Sequence, residues 1–411
     1  MKKIKLLCWL LALCLCLTAC VTQVPDTTLG TTPTTQVTIE ATTEATTEAT
    51  TEATTEPTMP ARTSMVEGTE GIKNVILIIG DGMGLEHIKA GQLYDGIEYD
   101  FAKWQMVSIN TASITYEGTF NTSPTDSAAS ATAMATGHLT VNGYEGMIPD
   151  GTELKTILDY ASELGKSTGI VTTDTLLGAT PSGFSSHCRS RSADKLLFET
   201  QVTSGVNLLC GSQDSICMNK AENIQEVGYA YCQDYAQIGD TFGSDMAYWQ
   251  LPLAGTAAEV NLVDVAIDAL NYLDQNENGF VVMIEQAHID KYCHNHEFLG
   301  AVQSVSNLNS TVEAVMNWLG DRTDTAVLIV ADHETGGLLV GNQGEYKNTL
   351  ENTPSGNPIS YEYTAPDHTS TNVGLFVHGI TPDYTKSELY QEDALKNTGV
   401  FFLMLDILNI R

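Results

Sequence analysis

Several short stretches of this chain carry side chains that can do chemistry together. In IEQAHIDKYCHNH, Ile284 to His296, Asp290 and His294 stand four apart, so on one helical turn they share a face and can grip one ion. Glu285 precedes them and Lys291 follows Asp290 directly. VADHETGG supplies the adjacent ligand types Asp332 and His333, and TAPDHTSTN adds His368. In IIGDGMG, Asp81 lies between glycines, which make a turn and also allow the backbone to approach a ligand closely. Histidines mixed with carboxylates are what a catalytic zinc with an open position uses, whereas an oxygen-rich set suits magnesium.

A different chemistry is offered by SPTDSAASATAMATG, Ser123 to Gly137. Its alanines favour helix, and Asp126 or Ser127 is of the type that caps one. A hydroxyl at a helix N-terminus sits where backbone N–H groups and the helix dipole favour negative charge. Two accounts fit these residues: a nucleophile that receives phosphate, or a capped helix packed tightly by small side chains.

The elements that must position these groups are apolar runs of strand length alternating with helix-length segments. Strands are expected at Asn74 to Ile79, Ser167 to Thr172, Val206 to Leu209, Phe280 to Ile284, Ala326 to Val330 and Val373 to Val377. Helices are expected at Ser127 to Thr136, Thr152 to Leu164, Val260 to Leu273, Phe298 to Leu319 and Ala394 to Leu408. Continuous runs such as VILII, VVMI and AVLIV suit strands buried on both faces. The fold class is therefore α/β, a doubly wound, mainly parallel sheet flanked by helices on both faces. Ligands in such folds sit outside the carboxyl ends of strands. Asp81, Glu285 and the pair Asp332-His333 follow three of them.

The chain has 411 residues. Residues 1–19 read as a secretory signal, with Lys2, Lys3 and Lys5 ahead of one apolar run too short for a comfortable membrane span. Residues 20–64 are Thr-rich and repeat Ala-Thr-Thr-Glu four times from Ala41, a composition that cannot bury enough surface to order itself. They are expected to form a linker. Residues 65–411 would be the catalytic body. Five cysteines fall in it: Cys188, Cys210, Cys217, Cys232 and Cys293, an odd number that leaves at least one free thiol or an intermolecular bridge. A net charge of −32 argues against nucleic acid and repels anionic substrates unless the site holds its own positive charge. Metal ions would supply that charge locally.

In order along the chain, GDGMG, TDSAASATAMATG, ATPSGF, EQAHIDKYCH, ADHETGG and HTS resemble the motifs of the alkaline phosphatase family, over Asn74 to about Gly379. The resemblance implies two zinc ions and one magnesium. One zinc would be held by Asp290, His294 and His368. The second would take Asp81, Asp332 and His333, with Ser127 completing its shell as the nucleophile. Magnesium would take Asp81, Thr180 and Glu285. Arg191 falls at the phosphate-binding position, with Arg189 as competitor, and its planar fork suits two phosphate oxygens. Lys291 matches a position near the phosphate and the magnesium, or is a surface lysine. Asp126 orients Arg191 or only caps the helix.

Gly178 departs from the family, whose members often carry Asp or His there in the outer shell of the magnesium. Cys293, beside His294, is a packing residue or a soft-metal liability. An extended crown insertion between His333 and His368 is expected to be absent. Similarly, Leu17 to Cys20 resembles a lipobox, with Cys20 as the lipidation site and a plain signal cut near Ala19 as the other reading. The implied function is hydrolysis of small phosphate monoesters through a phosphoserine, outside the cell membrane on a lipid anchor; the resemblance is compatible with a homodimer. A phosphodiesterase or sulfatase of the same superfamily, a cofactor-independent mutase relative and a non-enzymatic phosphate- or metal-binding lipoprotein are the competing readings.

Overall fold

In a computed structural model of the chain, residues 62–253 and 260–410 are described. The expected signal peptide, Cys20 and all but the last three residues of the expected linker lie outside the described residues. Arg62 makes an ion pair with Asp406, and Met65 N donates to the same carboxylate at 2.7 Å. No helix among the described residues is long and apolar enough to cross a membrane.

The strands Asn74–Gly80, Phe280–Gln286 and Thr325–Val330 are buried at every position. Continuous Val and Ile runs form them because both faces of the sheet are covered, so no alternation with polar residues is needed. Across the sheet the order is Tyr390–Gln391, Ala394–Lys396, Gln105–Asn110, Val373–His378, Thr325–Val330, Asn74–Gly80, Phe280–Gln286, Ser167–Thr175, Leu208–Ser212, Ala247–Leu251 and Ala230–Cys232. From Thr325–Val330 to the last of these every pairing is parallel. Val373–His378 runs antiparallel to both neighbours, so the sheet is mixed and mainly parallel. Helices pack in two groups: Leu85–Asp95, Leu262–Leu273, His288–His294 and Phe298–Leu319 against one another, and Ser127–Thr136, Ile157–Glu163, Ala179–Ser185 and Thr398–Ile407 against one another.

Most expected strands run one to three residues longer, and four expected elements are displaced or shortened. Ala394–Lys396 is a strand beside Gln105–Asn110, and the last helix is only Thr398–Ile407, because Asn397 caps it through Thr398 N at 3.2 Å. The Thr152 to Leu164 helix shrinks to Ile157–Glu163, since Thr156 and Asp159 form a capping box. Leu262–Leu273 likewise starts after its cap, Asn261. The Val206 strand runs over Leu208–Ser212. Between His333 and His368 lie the short strand Glu334–Thr335 and a three-stranded antiparallel sheet with its turns. All five body cysteines are unbridged and buried.

Candidate active site

Register aligns the carboxyl ends of four parallel strands. Ile79 pairs with both Glu285 and Val330, and Glu285 pairs with Thr172. Asp81, Glu285 and Asp332-His333 therefore rise from neighbouring strand ends. Asp81, Asp332 and His333 each place one ligand atom within 4.8 Å of the others, and so do Asp290, His333 and His368. Gly82, at φ 73°, makes the turn after Asp81, and a Cβ there would lie 2.9 Å from the Asp290 Cβ. Its N–H instead donates to Asp332 Oδ1 at 3.0 Å.

Ser127 is the first residue of Ser127–Thr136, a helix buried along its whole length. The small side chains let it wedge between Ala179–Ser185 and Thr398–Ile407. The contact is close enough that a Cβ on Gly183 would come within 2.7 Å of the Ala131 Cβ. Ser130 Oγ donates to Asp332 O at 2.7 Å and ties the helix to the strand end. Ser127 Oγ consequently sits 3.1 Å from His333 Nε2. Asp126 does two things: Oδ1 caps the helix by accepting from Ala129 N at 3.0 Å, and Oδ2 accepts from Arg191 Nη1 at 3.2 Å. Arg189 turns away, donating to Asp150 O.

Beyond His333, His294 Nε2 and His368 Nε2 face each other at 3.1 Å, and Asp290 Oδ2 is 3.2 Å from His294 Nε2. His368 enters on His368–Thr369, a short strand paired with Glu334–Thr335, and its Nδ1 contacts Thr125 O at 3.0 Å. Burial opposes the charge of Asp290, but hydrogen bonds from His294 and His368 outweigh it and hold this carboxyl well below its ordinary range. The same pairing carries His368 up to about 9 against the effect of burial. His333 is shifted the other way by burial.

The opposite flank is acidic. Asp81 is raised by burial and then by Asp332, Asp290 and Glu285. Burial and the charge of Asp174 push Glu285 up to about 8. Thr172 donates to the Glu285 carboxylate, which the Thr180 hydroxyl approaches without a well-formed hydrogen bond. Lys291 Nζ donates to Asp174 Oδ1 at 2.5 Å.

These groups fit divalent cations. Asp81 Oδ1, Asp332 Oδ2 and Thr180 Oγ1 are buried with no hydrogen-bond partner. Four carboxylates share the region, and facing imidazole nitrogens have lone pairs to give. Two of the expected groups are in contact: Asp290, His294 and His368 lie within 3.5 Å of one another, and Asp81, Asp332 and His333 form the other. Four contributors were not expected from the sequence. Asp367 groups with His294 and His368, Thr335 Oγ1 donates to Asp290 Oδ1 at 2.5 Å, and Ser130 and Asp174 act as described. Cys293 is wholly buried against His87 Nε2 at 3.2 Å and Tyr363 Oη at 3.6 Å.

A family model described as alkaline phosphatase matches residues 72–210 and 246–397. Alkaline phosphatase 3 of Bacillus subtilis is 30% identical over 313 residues, covering 71% of this chain and 67% of that protein. The alkaline phosphatase of Escherichia coli is 24% identical over 384 residues, covering 75% and 81%. Among solved structures, alkaline phosphatase from the Antarctic bacterium TAB5 matches with a TM-score of 0.70 at 19% identity, over 83% of this chain and 98% of that one. A His-to-Asp variant of that enzyme has Mg bound in the M3 site. The chain therefore belongs to the alkaline phosphatase family and is a metal-binding phosphatase.

Proposed function

We propose that the chain hydrolyses phosphate monoesters through a phosphoserine on Ser127, at a site for two zinc ions and one magnesium. Asp290, His294 and His368 would hold one zinc, Asp81, Asp332, His333 and Ser127 the other, and Asp81, Thr180 and Glu285 the magnesium. Bound there, the cations would lower the pKa of the hydroxyl and stabilise negative charge on the phosphoryl group and leaving oxygen. The observation that carries the reading is the Ser127 hydroxyl at a helix N-terminus, 3.1 Å from His333, which itself groups with Asp81 and Asp332.

Ser127 Oγ gives its proton to solvent water and forms a bond to phosphorus as the bond to the ester oxygen breaks on the far side, the alkoxide taking a proton from water to leave as the alcohol. Arg191, held by Asp126, is placed to grip two phosphoryl oxygens with its fork. Water then attacks the phosphoserine, the Ser127 oxygen leaves, and the two inversions give net retention at phosphorus. The contacts named all fall on the phosphoryl group, which supports breadth in the ester portion. Location follows from the sequence: residues 1–19 support export, and Cys20 a lipid anchor on the outer face of the membrane. Labelling by radioactive palmitate, abolished in Cys20→Ala, is the expected outcome there.

Turnover of p-nitrophenyl phosphate and bis-p-nitrophenyl phosphate on one preparation, with metals measured, tests the activity. Monoester turnover that greatly exceeds diester turnover, rises toward alkaline pH and is lost to chelators is expected. Faster diester turnover would favour the phosphodiesterase reading.

A further inference from the structure

Gly178 precedes Ala179–Ser185 with φ −60° and ψ 159°, a conformation open to any residue. Glycine is therefore not required by the backbone. A Cβ at Gly178 would nonetheless lie 2.6 Å from Asp174 Oδ2, so a side chain there would have to displace that carboxylate. The carboxylate of Asp174 occupies the volume in which a side chain at 178 would begin.

Asp174 leaves the carboxyl end of Ser167–Thr175, two residues beyond Thr172, whose backbone is in register with Glu285. Its Oδ1 accepts from Lys291 Nζ at 2.5 Å and from Thr175 N at 2.7 Å. Among the described residues, no hydrogen bond reaches Oδ2. The Lys291 side chain is 44% exposed and that of Asp174 23%, so this pair reaches solvent. Beneath it, Glu285 and Thr180 are each 1% exposed, and Thr180 Oγ1 lacks a hydrogen bond. Hydrogen bonds link the two: Asp174 N donates to Thr172 Oγ1 at 2.9 Å, and that hydroxyl donates to the Glu285 carboxylate.

We infer that Asp174 supplies, from four residues upstream, the outer carboxylate that Gly178 does not, and that it positions Lys291 over the site formed by Asp81, Thr180 and Glu285. This rests on the third-ion reading given above. Asp174 is a positioning residue: Oδ1 fixes the ammonium, and Oδ2 is left to accept from water held at the site. A site of two carboxylates and one hydroxyl, with a further carboxylate outside it and no imidazole, selects a hard, oxygen-seeking ion such as magnesium over zinc. An isolated exposed Asp–Lys pair would contribute almost nothing to stability and nothing to ion binding.

The test is magnesium binding by the full chain, dialysed at constant zinc against graded magnesium, with both metals counted by mass spectrometry. Asp174→Ala, and Asp174→Asn which keeps the shape, should weaken magnesium binding about ten- to a hundredfold while bound zinc stays constant. Moving the carboxylate, in Asp174→Gly with Gly178→Asp, should recover most of that loss; Thr175 O, 3.0 Å from the new Cβ, must yield slightly. Unchanged magnesium affinity in both single variants would overturn the assignment while leaving the phosphatase reading intact. A parent chain that binds zinc but no magnesium would overturn the third site and this assignment together.

Discussion

Asp81, Glu285, Asp332 and His333 stand at the ends of parallel strands with exposures of 7%, 1%, 0% and 0%, whereas the side chain of His294 is 37% exposed. The histidine side is assembled from a seven-residue helix and a two-residue strand. The strand-end side keeps orphaned oxygens away from water and needs cations to neutralise it. The histidine side opens to solvent, where under the proposed mechanism a leaving group would depart and water enter. Rigid placement of the proposed nucleophile and access for exchange would thus be divided between two constructions meeting at His333, whose ring stacks on His368 at 3.6 Å between centroids.

That division predicts unequal losses. Asp81→Ala removes the carboxylate shared by the strand-end groups, so it should cost about a thousandfold or more in kcat and release more than one metal equivalent. His294→Ala, on the open side, should cost about ten- to a hundredfold and be partly restored by excess zinc. Equal losses, with neither restored by zinc, would contradict the proposed division of labour. Arg191→Ala removes a charge-assisted phosphate contact worth about 1.5–3 kcal/mol, seen as a fall in kcat/KM of about ten- to a hundredfold. Asp126→Asn should lose less, because the helix cap survives.

The smallest effect is in stability. After chelation, Glu285, pushed up to about 8, and Asp81, raised by burial and neighbouring carboxylates, hold protons in the fold that they release on unfolding. His368, raised to about 9, acts in the same direction. The unfolded chain binds fewer protons, so stability of the chelated protein should fall from about pH 6.5 to 8, by at most about 1.4 kcal/mol per unit for each group. His333, His87 and His288, lowered by burial, oppose this only below about pH 6.5, their ordinary value. Thermal melts across that range should slope down when chelated and lie flatter with metals bound, whose ligands are already deprotonated.

The same contrast explains what was legible in the sequence. Burial on both faces turns strands into continuous apolar runs, so the residues after them, Asp81, Glu285 and Asp332-His333, announce themselves. His368 lies on a two-residue strand with no periodicity, so its residue type made it a candidate and only the family resemblance assigned it to an ion. Asp174 was unreadable because its meaning depends on the empty volume at Gly178. Thr335 and Ser130 act on neighbours remote in sequence, as Asp367 does on His294, which spacing does not encode. Gln105–Asn110 was missed because its exposed Gln105, Met106 and Asn110 interrupt the apolar run. Ala394–Lys396 merged with the following helix because Asn397, the cap between them, reads as one more polar position.

Acid quench of the enzyme during monoester turnover, followed by peptide mass spectrometry, addresses the central claim most directly. The account predicts phosphate on Ser127, absent in Ser127→Ala along with nearly all turnover. Turnover that persists in Ser127→Ala, or phosphate trapped on a different residue, would contradict it.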